Sequence, residues 1–378
     1  MKDMKIKQWG VVLLIMCALT ACHHTDPDSY THQLLVYMAA DNNLSGNAQD
    51  NVKELLEYAQ VPSNQALLVY MDRLNAGASL VRLQTVNGSL LCDTLQRYGI
   101  HNSASTAVLS QVISDARAAC PAETYGLILW SHGTGWLPKG VYGESEPGIE
   151  LDSFGADGTS QIEVDELAAA LEQTPHEYIC FDACLMANIE TYYALRHTCN
   201  YLVGSAAEVI SLGFPYNQLT STLLPYKGKS SLEALCQAFF NRFDVLNGFN
   251  RSATISLVQT DKLDAVCEAF KMVTVNGLAP AAIDPTLVQK YDRLGSPVFF
   301  DFDHLAWTVG MGGADYENFT KALSSAVIYK KATPTLFVDI PLTHFSGLAA
   351  YLPNPKLPKT QAGYLVSQWN KAVGWLSE

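Results

Sequence analysis

Short apolar runs of strand length alternate with segments of helical periodicity between residues 34 and 208. The short runs are rich in Leu, Val, Ile and Tyr and predict strands, whereas the longer amphipathic segments predict helices. This alternation is typical of an α/β fold with a mostly parallel sheet. The predicted strands are residues 34–38, 66–71, 127–130, 178–181 and 201–203, with a hairpin of 80–86 and 90–95, and the predicted helices are residues 48–59, 106–119, 162–171 and 188–196.

The pattern changes after Phe214, where predicted helices predominate. Neither an internal repeat nor a clear linker is present. We therefore expect a catalytic core at residues 33–229, with residues 230–378 as a C-terminal part of the same domain or a subdomain. The predicted helices of this part are residues 232–243, 261–272, 316–329 and 361–376, and its predicted strands are residues 253–258, 335–340 and 347–352.

The first 21 residues have the plan of a secretory signal, in which lysines precede the apolar run 11–19. This run is shorter than the roughly 20 residues that a bilayer span needs. It ends in LTAC, which resembles the bacterial lipobox, whose cysteine is lipidated; an ordinary signal with a coincidental cysteine is the alternative. We expect a signal peptide at residues 1–21, a lipid on Cys22, a tether at 22–32, and export to the bacterial cell envelope, on its periplasmic or outer side.

Composition and charge narrow the possible partners. Of the 378 residues, 48% are hydrophobic and 16% are charged, which indicates a globular chain with a substantial core. The formal net charge is −13 and no basic cluster follows the first residues, which argues against a nucleic-acid partner. The nine cysteines show no CxxC pair and no Cys/His spacing suited to zinc, so no metal site is predicted from spacing.

Two of the predicted strands end at a chemically capable residue, His132 in one and Cys184 in the other. Because the carboxyl ends of neighbouring parallel strands meet in one crevice, we expect the two side chains to face each other. A thiol attacks as the thiolate, and an adjacent imidazole or the start of a following helix would lower the pKa of Cys184. The pair is predicted to be a nucleophile and its general base. A packing cysteine and a capping histidine are the alternatives.

Backbone groups around this pair extend the chemistry. The N–H groups of Gly133 and Cys184 are candidates for the two donors that stabilise the oxyanion of a tetrahedral intermediate. Cys180 is a rival nucleophile by residue type, but its position within a strand predicts a buried, inert thiol. The connection 137–160 is rich in Gly, Ser, Pro and acids, and its length indicates a functional or mobile segment.

The motifs SHGTGW at His132 and FDACLM at Cys184 resemble the clostripain family of cysteine peptidases. The resemblance covers about residues 33–220, including YMAADN at the first strand and the stretch from Ser205 to Tyr216. It implies a caspase-like sheet flanked by helices, with a helical or mixed C-terminal elaboration. It also implies that His132 is the general base and Cys184 the nucleophile.

The family mostly cleaves after Arg or Lys, through acidic residues of the specificity pocket. Asp182 matches the acidic position two residues before the nucleophile. Residues 210–213 depart from the family, which often carries an acid there, and Glu208 is the candidate replacement. By the resemblance, Asp182, Ser205 and Glu208 are expected to bind substrate.

Two further expectations come from the resemblance. Family members often cleave themselves after a basic residue between His and Cys, and Lys139 is the only Lys or Arg between His132 and Cys184. Cleavage at Lys139, or none at all, is therefore expected. Calcium dependence is known in the family, so Ca²⁺ is a possible cofactor; Asp152 and Asp157 belong to no EF-hand pattern and are expected to serve the long loop.

The favoured hypothesis is an exported, lipid-anchored cysteine endopeptidase that acts on proteins or peptides, cleaves after Arg or Lys, and contacts the membrane only through the Cys22 lipid. One alternative is a catalytically silent surface lipoprotein that serves as a binding module. Another keeps the same two residues but uses them for transpeptidation or amide hydrolysis. Cleavage of basic peptides by the wild type and by Cys184→Ala distinguishes them.

Overall fold

The structure is a computed structural model that describes residues 29–139, 141, 154–158 and 160–377. The predicted signal peptide, the lipidation candidate Cys22 and the loop residue Asp152 lie outside the described residues. Residues 30–32 of the predicted tether instead belong to the first strand, which begins at Tyr30. Among the helices that are described, none has the length and apolar character needed to cross a bilayer.

Within the described ranges, the strands form one large sheet and three two-stranded ones. Numbered in chain order, they are β1 (Tyr30–Ala40), β2 (Gln65–Arg73), β3 (Ala78–Val86), β4 (Ser89–Gly99), β5 (Ala122–Trp130), β6 (Phe154–Asp157), β7 (Ser160–Ile162), β8 (His176–Asp182), β9 (Cys199–Gly204), β10 (Thr254–Gln259), β11 (Phe300–Asp301), β12 (Val327–Ala332), β13 (Thr335–Leu336), β14 (Ile340–Pro341) and β15 (Ala349–Ala350).

The large sheet has nine strands in the order β12-β10-β9-β8-β5-β1-β2-β3-β4. Its central strands β2, β1, β5, β8 and β9 run parallel. The outer strands β3, β4, β10 and β12 pair antiparallel with their neighbours. The predicted α/β class, a mostly parallel sheet flanked by helices, is confirmed.

The central strands are apolar on both faces. In β1, Leu35 and Tyr37 belong to one hydrophobic cluster, and Leu34 and Val36 belong to the other. Parallel strands that are covered by helices on both faces carry continuous apolar runs, because neither face meets water. This burial explains why the run 34–38 was recognisable as a strand in the sequence.

Helices pack on both sides of the sheet. The helix predicted at residues 106–119 is confirmed with the same bounds, and those predicted at 48–59, 188–196 and 232–243 are confirmed with ends shifted by a few residues. The described helices are Ser45–Tyr58, Thr106–Ala119, Val164–Glu172, Ile189–Ala194, Leu219–Leu223, Lys229–Asp244, Leu263–Asn276, Phe302–Gly310, Ala314–Ala326, Pro358–Val366 and Gln368–Val373.

The largest errors of the sequence reading lie near the C-terminus. The helix predicted at 316–329 ends at Ala326, and the chain continues as the edge strand β12, which pairs with β10. The strand predicted at 335–340 is instead a tight hairpin of β13 and β14, with Phe337 and Val338 in left-handed conformation at its tip.

Two other C-terminal predictions were only partly right. The strand predicted at 347–352 is reduced to the two residues of β15, which pair with β11. The predicted final helix is divided into two at Ser367, whose backbone is extended and ends the first helix. The Ser367 hydroxyl caps the second helix by accepting a hydrogen bond from Asn370 N at 3.1 Å.

Candidate active site

The sheet register brings His132 and Cys184 to the same edge. In the parallel pair β5 and β8, Trp130 lies opposite Asp182, and His132 and Cys184 each follow two residues later. Neighbouring strands are about 4.8 Å apart. Gly133 confirms the contact, because a Cβ built on it would lie 2.7 Å from the carbonyl oxygen of Cys184. Only glycine allows the two segments to approach this closely.

The Cys184 thiol is partly buried beside the segment that follows β9. Val209 N donates to Cys184 Sγ at 3.2 Å, and Sγ lies 3.7 Å from Val209 O. Burial raises the pKa of Cys184 to about 12; the Val209 N–H lowers it, while the carboxylate of Glu208 raises it. The thiol is therefore protonated at neutral pH in the free protein, and it needs a base when it attacks.

The expectation that a following helix activates Cys184 was wrong. The next helix begins at Ile189, and its first turn is capped by Asn188, whose Oδ1 accepts from Thr191 N at 2.8 Å. Leu185 adopts a left-handed conformation, φ 61°, that turns the chain away between the thiol and the helix. The helix dipole acts within the first turn, so it does not reach the sulfur.

His132 is held by a residue that the sequence analysis did not single out. Its Nε2 lies 2.6 Å from Oδ1 of Asn43. Because an amide oxygen only accepts, Nε2 carries the proton and Nδ1 keeps the lone pair that a base requires. Burial lowers the pKa of His132 and so favours the neutral imidazole. The sequence did contain a signal, since Asn43 follows β1, the strand next to β5.

The two candidate oxyanion donors are available. Neither the N–H of Gly133 nor that of Cys184 donates a hydrogen bond to another described residue. The neighbouring carbonyl of His132 accepts from Gly155 N at 3.1 Å, which fixes the turn that carries Gly133. Two backbone donors on the segments that carry the thiol and the imidazole can bind one developing oxyanion.

Two of the residues expected to bind substrate lie in the interior. Asp182 is 5% exposed, and its Oδ2 accepts from Phe214 N and from the Tyr216 hydroxyl, both at 3.0 Å. Burial raises the pKa of Asp182 to about 6. Ser205 is 1% exposed, and its hydroxyl lies 2.7 Å from Thr254 Oγ1. In this conformation both side chains hold the segment after β9 in place and do not face a substrate.

Glu208 is the acid that reaches the rim. It is partly exposed and directly precedes Val209, the residue that bonds the Cys184 thiol. Its Oε2 lies 2.5 Å from Nη2 of Arg293. Sequence reasoning missed Arg293, because nothing in its local pattern relates it to a residue so distant in the chain.

The self-cleavage candidate Lys139 is exposed and follows the histidine turn. Its backbone N–H donates to Oε1 of Glu163 at 2.8 Å. Residue 140 is outside the described part, so the bond after Lys139 has no described geometry.

Three carboxylates from separate strand ends form a cluster that can hold a metal ion. Asp41, Asp72 and Asp157 each offer an oxygen, and these oxygens lie within 4.8 Å of one another. Asp72 is 1% exposed, and its Oδ2 accepts no hydrogen bond from any described residue. Ca²⁺ binds oxygens at 2.3–2.6 Å, so this spacing fits a calcium ion. Such an ion would tie the loop after β1, which carries Asn43, to β6.

Asp157 also joins β6 to the segment after β4, because its Oδ2 accepts from Ser103 N at 2.7 Å. Cys180 is buried, and burial raises its pKa well above the ordinary value, in agreement with the prediction of an inert thiol. Of the seven cysteines in the described part of the chain, five are buried, and Cys92 and Cys184 are partly buried.

Solved structures with this arrangement are cysteine proteases. An inactive zymogen C11 protease from Parabacteroides distasonis is 28% identical, with a TM-score of 0.81 over 92% of this chain and 99% of that chain. A secreted C11 cysteine protease from Bacteroides thetaiotaomicron, in complex with an irreversible peptide inhibitor, is 25% identical, with a TM-score of 0.80 over 91% and 99%. The fold is therefore the caspase-like fold of cysteine peptidases.

The family follows from the sequence match. The model of the clostripain family matches residues 36–284, and the chain belongs to that family of cysteine peptidases. No curated protein sequence matches the chain.

Proposed function

We propose that the protein is an exported cysteine endopeptidase in which Cys184 is the nucleophile and His132 the general base. The observation that carries this proposal is the β5–β8 register, with Trp130 opposite Asp182, which puts the two side chains at one edge of the sheet. The contact between Gly133 and the backbone of Cys184 supports it.

The reaction begins with transfer of the Cys184 proton to Nδ1 of His132 as Sγ attacks the substrate carbonyl carbon. The Asn43 amide oxygen keeps Nε2 protonated, so Nδ1 is the nitrogen that accepts. The N–H groups of Gly133 and Cys184 stabilise the oxyanion. The imidazolium then protonates the leaving amine, and water, deprotonated by His132, releases the acid from the thioester and restores the thiol.

We further propose cleavage after Arg or Lys. Glu208 is the acid that lies partly exposed near the thiol, whereas the Asp182 carboxyl is buried. The negative net charge of −13 also favours cationic substrates. Because Asp182 is engaged with Phe214 and Tyr216, Glu208 carries most of this preference, and Ser205 acts by supporting the segment.

Lipid anchoring at Cys22 and self-cleavage after Lys139 complete the proposal. The resemblance of residues 19–22 to a lipobox supports the first. The exposure of Lys139, close in sequence to His132, supports the second. Mass spectrometry of the membrane fraction tests the lipid. Intact single-chain protein with full activity on a peptide would contradict self-cleavage.

The central experiment measures cleavage of fluorogenic peptides that end in Arg, Lys or a neutral residue. We expect turnover by the wild type, at least about 10³-fold loss in Cys184→Ala and His132→Ala, and little change in Cys92→Ala, a partly exposed cysteine on β4. Binding of peptides without turnover would favour the binding module. Transfer of the acyl group to an added amine, without hydrolysis, would favour a transpeptidase.

A further inference from the structure

Arg293 comes from the C-terminal part of the chain and lies at the rim of the active site. Its Nη2 donates to Oε2 of Glu208 at 2.5 Å, and its Nε donates to Oε1 at 3.3 Å. Val209, which follows Glu208, donates its N–H to Cys184 Sγ. The ion pair therefore stands one residue away from a direct contact of the thiol.

Two aromatic rings also lie beside this guanidinium. Its central carbon lies 4.4 Å from the centroid of the Phe337 ring and 5.5 Å from that of Phe249. A carboxylate and aromatic faces are the groups that recognise a guanidinium in water. We call Glu208, Phe249 and Phe337 the guanidinium site.

The backbone around Arg293 is fixed by a buried carboxylate. Buried Asp292 accepts hydrogen bonds from the N–H groups of Leu294, Val298 and Phe299 at 2.8 to 3.0 Å. Phe299 packs against the histidine turn, since a Cβ on Gly135 would lie 3.1 Å from its ring. The Arg293 side chain is 42% exposed, so its displacement from the guanidinium site does not require the loop to unfold.

We propose that Arg293 sets the charge preference of the enzyme, because it occupies the guanidinium site and a substrate Arg or Lys must compete with it for Glu208. The inference rests on the proposed function, and it names the residue that tunes specificity. A basic substrate side chain gains the attraction of Glu208 only when it displaces Arg293. A neutral side chain gains nothing from that displacement.

The test compares two fluorogenic peptides that differ only before the cleaved bond, where one has arginine and the other has citrulline, its neutral isostere. Rates are expressed per active site, counted by titration with an irreversible thiol-reactive peptide, so a partly folded variant does not distort them. In Arg293→Met we expect the kcat/KM ratio of the arginine peptide to the citrulline peptide to rise about two- to fivefold, mainly through KM. The same substitution in a Glu208→Gln background is expected to leave the ratio unchanged.

Arg196 provides a matched control. It also pairs with a carboxylate, that of Asp264 at 2.8 Å, and it lies 3.8 Å from the centroid of the Tyr193 ring. It precedes β9 at the opposite end of the sheet from Cys184. Arg196→Met is therefore expected to leave the peptide ratio as in the wild type.

An unchanged or lower ratio in Arg293→Met, or a rise that persists with Glu208→Gln, would overturn the inference while leaving the peptidase intact. If no variant cleaves either peptide, the proposed function fails instead. In that case, calorimetry of the uncleaved peptides tests whether Arg293 competes with a basic side chain for Glu208. In Arg293→Met we then expect the affinity for the arginine peptide, relative to that for the citrulline peptide, to rise by the same factor.

Discussion

At the scale of single residues, Asn43 sets which nitrogen of His132, the proposed base, carries the proton. The hydrogen bond at 2.6 Å fixes both the tautomer and the ring orientation. In Asn43→Ala we expect kcat on a basic peptide to fall about 10- to 100-fold with a smaller change in KM, because a misplaced imidazole loses its alignment with the thiol. Asn47→Ala, in the helix that follows, should retain full activity.

The Asn43→Asp variant sharpens this prediction, because it keeps the acceptor and adds a negative charge. The carboxylate is expected to raise the pKa of His132, so the acid limb of the kcat/KM profile moves to higher pH. A profile that does not move, or an Asn43→Ala enzyme with normal kcat, would show that Asn43 has no part in positioning the base.

Gly133 lies where the histidine turn and the Cys184 segment leave no room for a side chain. A Cβ there would lie 2.7 Å from Cys184 O and 2.9 Å from Met186 Sδ, so either the histidine turn or the backbone of the nucleophile has to move. We expect Gly133→Ala to reduce kcat about 10²-fold or more, since the proposed oxyanion donor and the proposed base are displaced together. Gly46→Ala, where nothing lies within 4 Å, is the control, and equal activities in the two variants would contradict the assignment.

Sequence reasoning placed His132 and Cys184 together because both follow apolar strands, and parallel strands share one edge. It could not place Arg293, Asp72 or the burial of Ser205, because these depend on contacts between segments far apart in the chain. It also expected activation of Cys184 by a helix start. This was wrong because a turn at Leu185 separates the thiol from the helix that begins at Ile189.

At the scale of elements, the carboxylate cluster of Asp41, Asp72 and Asp157 joins the ends of β1, β2 and β6. Without a cation, the negative charges repel one another and Asp72 is desolvated; this burial, with the charges of Asp157 and Asp41, raises the pKa of Asp72 to about 7. We expect 1 mM Ca²⁺ to raise the Tm of the wild type by about 2–5 °C relative to EDTA, and this gain to be lost in Asp72→Asn.

Without calcium, Asp72→Asn is expected not to lower the melting temperature. In EDTA, Asp72→Asn is expected to melt at or above the wild-type temperature, because it removes a buried charge from the cluster. Asp93→Asn, an exposed acid on β4, should keep the calcium response. A wild type that does not respond to Ca²⁺, or an Asp72→Asn variant that responds equally, would show that the cluster holds no calcium.

The elements that could be predicted are those whose own pattern specifies them. The helix Thr106–Ala119 has buried Leu109, Val112 and Ala116 at helical spacing, and its bounds were predicted correctly. β12 was read as the end of a helix, because Ile328 and Tyr329 continue the periodicity of the preceding segment. Pairing with β10 overrides that local preference. An edge strand that forms only by pairing with a distant segment cannot be recognised from its own residues.

At the scale of the whole molecule, the C-terminal part completes the sheet and braces the site. β10 and β12 extend the sheet beside β9, and Ala349 N donates to Ala187 O at 2.9 Å, three residues after the thiol. Glu190, in the helix after Cys184, accepts from Tyr351 N at 2.9 Å. The sequence left open whether residues 230–378 form a subdomain, because long-range antiparallel additions follow from packing and not from a local pattern.

The Glu190 carboxyl joins the helix after Cys184 to the C-terminal part, and its ionisation destabilises the fold. It is 3% exposed, its Oε2 has no hydrogen-bond partner among the described residues, and burial raises its pKa to about 8. The pKa of Glu190 in the folded state lies above its unfolded value of about 4.3. The stability that the protonated carboxyl contributes is therefore fully present below pH 4.3, about the unfolded pKa. This stability is lost as the pH rises towards 8, by at most about 1.4 kcal/mol per pH unit.

Glu190→Gln keeps the acceptor for Tyr351 N and removes the charge. We therefore expect the free energy of unfolding of the wild type, measured by urea titration, to fall relative to that of Glu190→Gln between pH 5 and pH 8, with the variant gaining most at the alkaline end. Glu166→Gln, an exposed position on the helix Val164–Glu172, should follow the wild type throughout. Parallel pH profiles for the wild type and Glu190→Gln would contradict this prediction. They would mean that water or a rearrangement solvates the ionised carboxylate, and that the contact between Glu190 and Tyr351 tolerates the charge.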